Sequence, residues 1–224
     1  VFPYDYVVES TETSLKNLGV ETIDLQQFHV WNPEWLAAEG WRRAIEDLKK
    51  AGKVRYWGIS INDHQPESGM EACRTGLIDT VQVIFNVFDQ TPQRALFPLC
   101  RELNIGVLAR VPLDEGALTG GITAETEFDP AEFRAWYFRG DRKEQVVAKV
   151  NSLRAELGAA GHDEPLADTA LRFCLSDPAV TTVIPGMRKI RNVEQNMAVS
   201  EKGPLPAQIL EILKRHAWDK NFYS

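Results

Sequence analysis

An imidazole at the end of an apolar run is the first feature with chemical potential: His29 closes the stretch TIDLQQFH, residues 22–29. Ser60 and Asn62 close VRYWGISIN, Gln82 and Asn86 punctuate TVQVIFN, Arg110 closes IGVLAR, and Pro185 and Gly186 follow VTTVI. Imidazole, guanidinium, hydroxyl and amide groups gathered at one end of a set of strands can bind a polar ligand, donate to a carbonyl oxygen and move a proton. Each also has a plainer reading. A strand histidine can be a hydrogen-bonded core residue. Ser60 and Asn62 suit an ordinary turn. Gln82 needs a partner inside an apolar strand, and another side chain can supply it. Arg110 can pair with Asp114 or Glu115.

The elements that carry these side chains follow from hydrophobic spacing. Val8, Thr11, Leu15 and Leu18 share a face of a helix predicted over Tyr6–Leu18, and Gly19 can take the left-handed conformation that ends it. A strand is predicted over Thr22–His29. Trp41, Ala44, Ile45 and Leu48 repeat at helical spacing, up to Gly52. Val54–Ser60 reads as a strand, Gln65–Thr75 as a short helix, and Thr80–Phe85 as a strand. A helix over Gln93–Leu103 turns Leu96, Leu99, Cys100 and Leu103 inward, and Ile105–Val111 is again a strand. Residues 112–142 carry glycines, acids and aromatics without a period, which marks a functional loop. Helices over Glu144–Leu157 and Pro165–Leu175, a strand over Val180–Ile184, and helices over Ile190–Val199 and Ala207–His216 follow.

Apolar strands joined by helical crossovers indicate an α/β fold with a parallel sheet covered on both faces. No Gly-x-Gly-x-x-Gly follows a strand and no Walker-type loop is present, so the markers of a doubly wound nucleotide fold are missing. Polar residues at the strand ends favour a (β/α)8 TIM barrel, whose chemistry sits there. Residues 1–224 read as a single domain, yet hold only about five β/α units; a barrel needs about three more ahead of Val1. Net charge is −7, and the isoelectric point is about 5.2. With no basic cluster, that balance argues against nucleic acid or an anionic membrane as partner. No apolar run is of membrane-spanning length and no secretory pattern opens the chain. The three cysteines are scattered, as in reduced thiols of a cytoplasmic protein.

Four stretches together carry a resemblance. SLKNLGVETIDLQQFHVW, KAGKVRYWGIS, IGVLARVPLDEGALTG and TVIPGMRKIRNVEQN resemble, in order and spacing, the motifs of the aldo-keto reductase family, in the branch related to potassium-channel β-subunits. The resemblance covers essentially the whole chain. It implies a (β/α)8 barrel and NADPH-dependent reduction of an aldehyde or ketone to an alcohol, on a small-molecule carbonyl substrate. The family's catalytic set is an aspartate, a tyrosine, a lysine and a histidine. His29 matches the histidine, and the other three fall upstream of Val1. Tyr4 and Tyr6 align with the lead-in to the helix before the fourth barrel strand and are not taken as the acid.

The resemblance also assigns cofactor contacts. Ser60 matches a serine on the nicotinamide carboxamide. The asparagine that usually follows is displaced by Ile61 to Asn62, so Asn62 departs from the pattern. Gln82 matches a glutamine on the same carboxamide. Arg110 stands where the family often has an aromatic stacked on the nicotinamide; a planar guanidinium can also lie flat on a ring. Pro112, Leu113, Glu115, Gly116 and Leu118 match the loop over the diphosphate. Gly186, Met187, Arg188, Asn192, Gln195 and Asn196 match positions around the adenosine 2′-phosphate and adenine. Here the family often has serine or lysine near Met187 and Arg188, glutamine or arginine at Asn192, and glutamate at Gln195. The cations of RKIR at a helix start still suit a phosphate, which favours NADPH over NADH. Trp31 is a substrate-side candidate, and Trp35, Phe88 and Trp136 line an aromatic pocket or serve as core and surface aromatics. No metal is implied. The alternative to a reductase is a non-catalytic NADPH-binding sensor or regulatory subunit, or a truncated inactive homologue. Oligomeric state is left open.

Overall fold

The computed structural model describes residues 2–224. Its five strands lie in one sheet in chain order: β1 (Ile23–Trp31), β2 (Val54–Ile61), β3 (Thr80–Ile84), β4 (Gly106–Arg110) and β5 (Val180–Ile184). The paired strands β1–β2 and β2–β3 are parallel. α1 (Tyr4–Leu18) precedes β1, and α2 (Glu39–Lys50), α3 (Met70–Arg74) and α4 (Leu96–Glu102) run between successive strands up to β4. After β4 come α5 (Phe133–Tyr137), α6 (Arg142–Ala159) and α7 (Leu166–Leu175), and β5 is followed by α8 (Ile190–Ala198) and α9 (Ala207–Arg215). The alternation of strand and helix is the one the spacing predicts. The chain divides into two compact units, one up to Val83 together with Gln93–Leu108, the other Ile84–Pro92 with Ala109–Ser224.

In the first unit, α1 ends where Gly19 adopts a φ of 68° and donates its amide to Leu15 and Lys16 carbonyls. The buried stripe is Val7, Thr11 and Leu15, while Leu18, predicted inward, is exposed. The stripe follows an i, i+4, i+8 row and leaves Leu18 beyond the contact. Trp41, Ala44, Ile45 and Leu48 are buried on α2 as their spacing requires. They meet an aromatic cluster: Phe28 packs against Trp41 and Trp57, and Trp31 against Trp35 and Trp41. Asp79 ties α2 to the sheet, accepting from Lys49 Nζ and the Trp57 amide, both at 2.6 Å. The helix predicted over Gln65–Thr75 is a 3-10 turn, Pro66–Gly69, leading into the short α3. The one predicted over Gln93–Leu103 begins only at Leu96, with Leu103 exposed.

In the second unit, α6 buries Val146, Val150, Leu153 and Leu157, and α9 buries Ile209, Ile212 and Leu213. Phe173 of α7 stacks on Phe85, centroids 5.4 Å apart. Glu164, ahead of α7, accepts from Arg172 at 2.7 Å and Lys202 at 2.8 Å. Burial opposes its charge, but those hydrogen bonds outweigh it and hold the carboxyl below its ordinary range. Residues 112–142 are the aperiodic segment that was predicted, though they contain a 3-10 turn, Asp114–Thr119, and α5. All three cysteines are buried and unbridged. No helix among the described residues is long and apolar enough to cross a membrane.

Candidate functional site

The strand-end residues of the first unit fall in one row. Phe28 pairs in register with Ile59, Ile59 with Val81, and Ser60 with Gln82. The register then slips, because Trp31 pairs with Ile61. His29 and Val30 therefore stand opposite the single residue Ser60: a β-bulge, a device that re-aims side chains at a strand end. Phe28 and Trp31 both point into the aromatic core, and His29 and Val30 are both exposed. Val30 has a φ of 58°, a strained conformation for a β-branched residue. His29 is thus not core filling. The bulge had no marker in the sequence, since a valine gives no hint of positive φ.

One face of this row is polar and incompletely satisfied. Ser60 is only 2% exposed, and its Oγ is buried without a hydrogen-bond partner. Gln27 Oε1 and Thr80 Oγ1, on the same face, are in the same condition. Buried polar atoms are almost always paired in folded proteins, so this face is suited to a polar guest. Asn62, by contrast, donates its amide to the Trp31 carbonyl at 3.1 Å, which fastens the turn after β2 to the bulge. Gly58 makes the close approach possible. A Cβ there would overlap Thr80 Oγ1 and lie 3.0 Å from the Thr80 carbonyl oxygen and 3.1 Å from Gln27 Cγ. Gly58→Ala should therefore destabilise the protein by roughly 1–3 kcal/mol, read as a lower midpoint in urea; an unchanged midpoint would show that β3 yields freely. Neither Gln27, Thr80 nor Gly58 was singled out from the sequence.

In the second unit, β4 ends at Arg110, whose carbonyl accepts from the Phe85 amide at 3.3 Å. Asn86 Nδ2 donates to the Val111 carbonyl at 3.0 Å. The loop that follows is unusual in its backbone. Val111, Asp114 and Glu115 have φ values of 53°, 47° and 54°, and Gly116 of 102°. Left-handed non-glycine residues cost on the order of 1–3 kcal/mol each. Pro112 and Leu118 are buried; Leu113, Glu115 and Gly116 are half-buried. Lys220 Nζ and Tyr137 Oη donate to Asp114, and Tyr223 Oη donates to Glu115.

The segment after β5 is open. Gly186, Met187 and Arg188 are exposed, as are Lys189 and Arg191, and no ion pair among the described residues claims those three cations. Asn196 donates to the Gly186 carbonyl at 3.3 Å, which folds α8 back over the Pro-Gly turn. Asn192 is half-buried one turn earlier, and Gln195 is exposed. Of the aromatic candidates, Trp31 is 0% exposed and packs in the aromatic cluster of the first unit. The bulge that exposes His29 is what turns Trp31 inward. Phe88 is likewise buried, whereas Trp136 is exposed. No group of histidine, cysteine and carboxylate side chains among the described residues could hold a metal.

Comparison with known proteins accords with this geometry. The sequence profile of the Aldo/keto reductase family matches residues 3–217. The aldo-keto reductase str7 of Strobilurus tenacellus is 30% identical over 201 residues, covering 88% of this chain and 58% of that protein. The uncharacterized oxidoreductase YqkF of Bacillus subtilis is 29% identical, covering 94% and 65%. In Schizosaccharomyces pombe, aldo-keto reductase yakc [NADP(+)] is 26% identical, covering 93% and 61%. The chain thus spans between 58% and 65% of the length of these relatives. Among solved structures, aldo-keto reductase AKR11C1 from Bacillus halodurans in its holo form superposes with a TM-score of 0.78 at 27% identity, over 97% of this chain and 66% of that one.

Proposed function

Because this chain belongs to the aldo/keto reductase family, a family of oxidoreductases, we propose that residues 1–224 supply five β/α units of a barrel that reduces aldehydes or ketones to alcohols with NADPH. The observation that carries the reading is the buried, partnerless Ser60 hydroxyl, in register with Gln82 and facing the bulge that exposes His29. A carboxamide offers both a donor and an acceptor to such a face, and NADPH carries one on its nicotinamide. The residues present fit that cofactor at a second place: Arg188, Lys189 and Arg191 are exposed cations at the start of α8, suited to a 2′-phosphate by charge and by free helix-start amides. One relative, from Schizosaccharomyces pombe, bears NADP(+) in its name.

In this reading Ser60 and Gln82 orient the nicotinamide end, and the loop 112–118 covers the diphosphate. When bound, the cofactor would supply a hydride to the carbonyl carbon, and the proton that completes the alcohol would come from one of the family's other catalytic groups. His29 donates a hydrogen bond to the carbonyl oxygen, polarising it and favouring the alkoxide-like charge that develops there. Arg110 stays a proposed cofactor contact by the family resemblance, since a planar guanidinium can lie flat on a ring. The location is an aqueous, cytoplasmic one.

Arg188 tests the cofactor half of the proposal. Loss of a charge-assisted contact to phosphate costs about 1.5–3 kcal/mol, roughly a 10–150-fold change in affinity. Arg188→Ala should weaken NADPH binding by that factor and leave NADH nearly unaffected, in a fluorescence titration with each. Equal weakening of both would assign Arg188 a structural role and move the phosphate contact to Lys189 or Arg191.

A further inference from the structure

The last residues of the chain bind the strained loop at two consecutive points. Lys220 Nζ donates to Asp114 Oδ1 at 2.8 Å and to Tyr137 Oη at 2.9 Å. Tyr137 in turn donates to Asp114 Oδ1 at 3.1 Å. The pair is dry, with side-chain exposures of 6% for Lys220 and 5% for Asp114. Burial, and after it the Asp114 charge, push the Tyr137 phenol well above its usual range, so it stays a donor. Three residues on, Tyr223 Oη donates to Glu115 Oε1 at 2.7 Å. The segment itself is anchored elsewhere. The Trp218 amide donates to the Phe88 carbonyl at 2.8 Å, Arg142 to the Phe222 carbonyl at 2.8 Å, and Arg139 to the Ser224 carbonyl at 2.6 Å. Lys220 also lies 4.3 Å from the Phe222 ring centroid.

Asp114 and Glu115 are the two successive non-glycine residues of the loop held at positive φ. Such a conformation persists only where the surroundings over-determine it. The grip falls on those two side chains. We infer that residues 218–224 form a strap whose Lys220 and Tyr223 are positioning residues: they hold Asp114 and Glu115 left-handed, and so fix where the amides of the 113–118 loop point. The inference rests on the reading above for its purpose, since that loop is the one assigned to the cofactor diphosphate. Amides around left-handed residues can form concavities that receive anionic oxygens; here those of Asp114, Gly116 and Leu118 donate to the Val111 and Leu113 carbonyls, which leaves the role to the other amides of the loop. A loop released from its strap would present them in many orientations, and ordering it again would subtract from diphosphate affinity.

The test compares Lys220→Met, Lys220→Arg and Tyr223→Phe with the parent, in the full-length protein, by amide hydrogen exchange and by titration with NADPH and with adenosine 2′-monophosphate. Methionine keeps an unbranched apolar side chain but loses the ammonium that lies over the Phe222 ring, and phenylalanine removes only a hydroxyl. Lys220→Met and Tyr223→Phe should each speed exchange at 113–118 by about tenfold and leave α7 and β5 protected. Lys220→Arg should restore most of the protection. NADPH affinity should fall by a similar factor, while adenosine 2′-monophosphate, which carries no diphosphate, should bind as before. Unchanged exchange at 113–118 in both variants overturns the strap. So does faster exchange spread evenly over the second unit, or equal weakening of both ligands. If exchange quickens as expected but the parent itself does not bind NADPH, the strap stands and the proposed cofactor is what fails.

Discussion

Residues 1–224 expressed on their own are expected to show no aldehyde-dependent NADPH oxidation, and to self-associate. In the sheet order β1-β2-β3-β4-β5, β1 and β5 each have one neighbour. A parallel strand with a free edge presents unpaired amides and carbonyls to any chain that can add to it. Apolar side chains lie near those ends. On α8, Ile190, Val193 and Met197 are exposed, Ile190 at 80% and Met197 at 60%; their spacing puts them on one face of the helix. Ile184 at the end of β5, Met187 after it, and Val30 and Tyr56 on β1 and β2 are exposed as well. The α8 face is apolar surface that another chain could cover. By family resemblance, moreover, His29 is one of four catalytic groups and the other three are not among these residues. Sedimentation of the isolated polypeptide should show oligomers or aggregate, and its activity should equal the buffer blank. A monodisperse monomer that melts cooperatively and oxidises NADPH would refute the account of both the sheet edges and the catalytic set.

His29→Ala, made in a protein that includes the upstream strands, should lower kcat by roughly 10²–10⁴, the scale of a lost proton donor or carbonyl-polarising group. The bulge is the reason to expect a large effect. It sends His29 out of the aromatic core and holds Val30 at a φ of 58° to do so, so the imidazole contributes little to packing. The same substitution should change the unfolding free energy read from urea denaturation by no more than about 0.5 kcal/mol, as for surface changes in general. His29→Gln, which keeps a side-chain N–H donor, should lose less than alanine. A drop in stability without a drop in kcat would return His29 to a structural role.

The strand and helix alternation was legible because each element carries its own period. β5 spans the predicted Val180–Ile184, and α2 buries the four residues whose spacing announced it. Element ends were less so. Leu18 and Leu103 continue their periods in sequence, yet lie past the contact that would bury them and are exposed. The short α3 shows the same limit: Pro66 at its lead-in makes a 3-10 turn of what composition suggests is helix. His29, Ser60, Gln82 and Arg110 stood out as candidates because polar groups at the ends of apolar strands are costly unless used. The bulge could not be found, because it is a property of the pairing between β1 and β2 and not of either strand. For the same reason nothing in the sequence shows that Trp31 faces the aromatic cluster; one extra residue reverses the face of everything after it. The clasp of Lys220 and Tyr223 on Asp114 and Glu115 spans 106 and 108 positions in sequence, and no local pattern joins residues so far apart.

The measurement that bears most directly on the central claim is NADPH oxidation by the full-length protein against a panel of small aliphatic and aromatic aldehydes, with the alcohol product quantified. Oxidation should depend on both protein and aldehyde, with one alcohol formed per NADPH consumed and the rate lost in His29→Ala. No oxidation with any member of the panel, or an equal rate in His29→Ala, would contradict that claim.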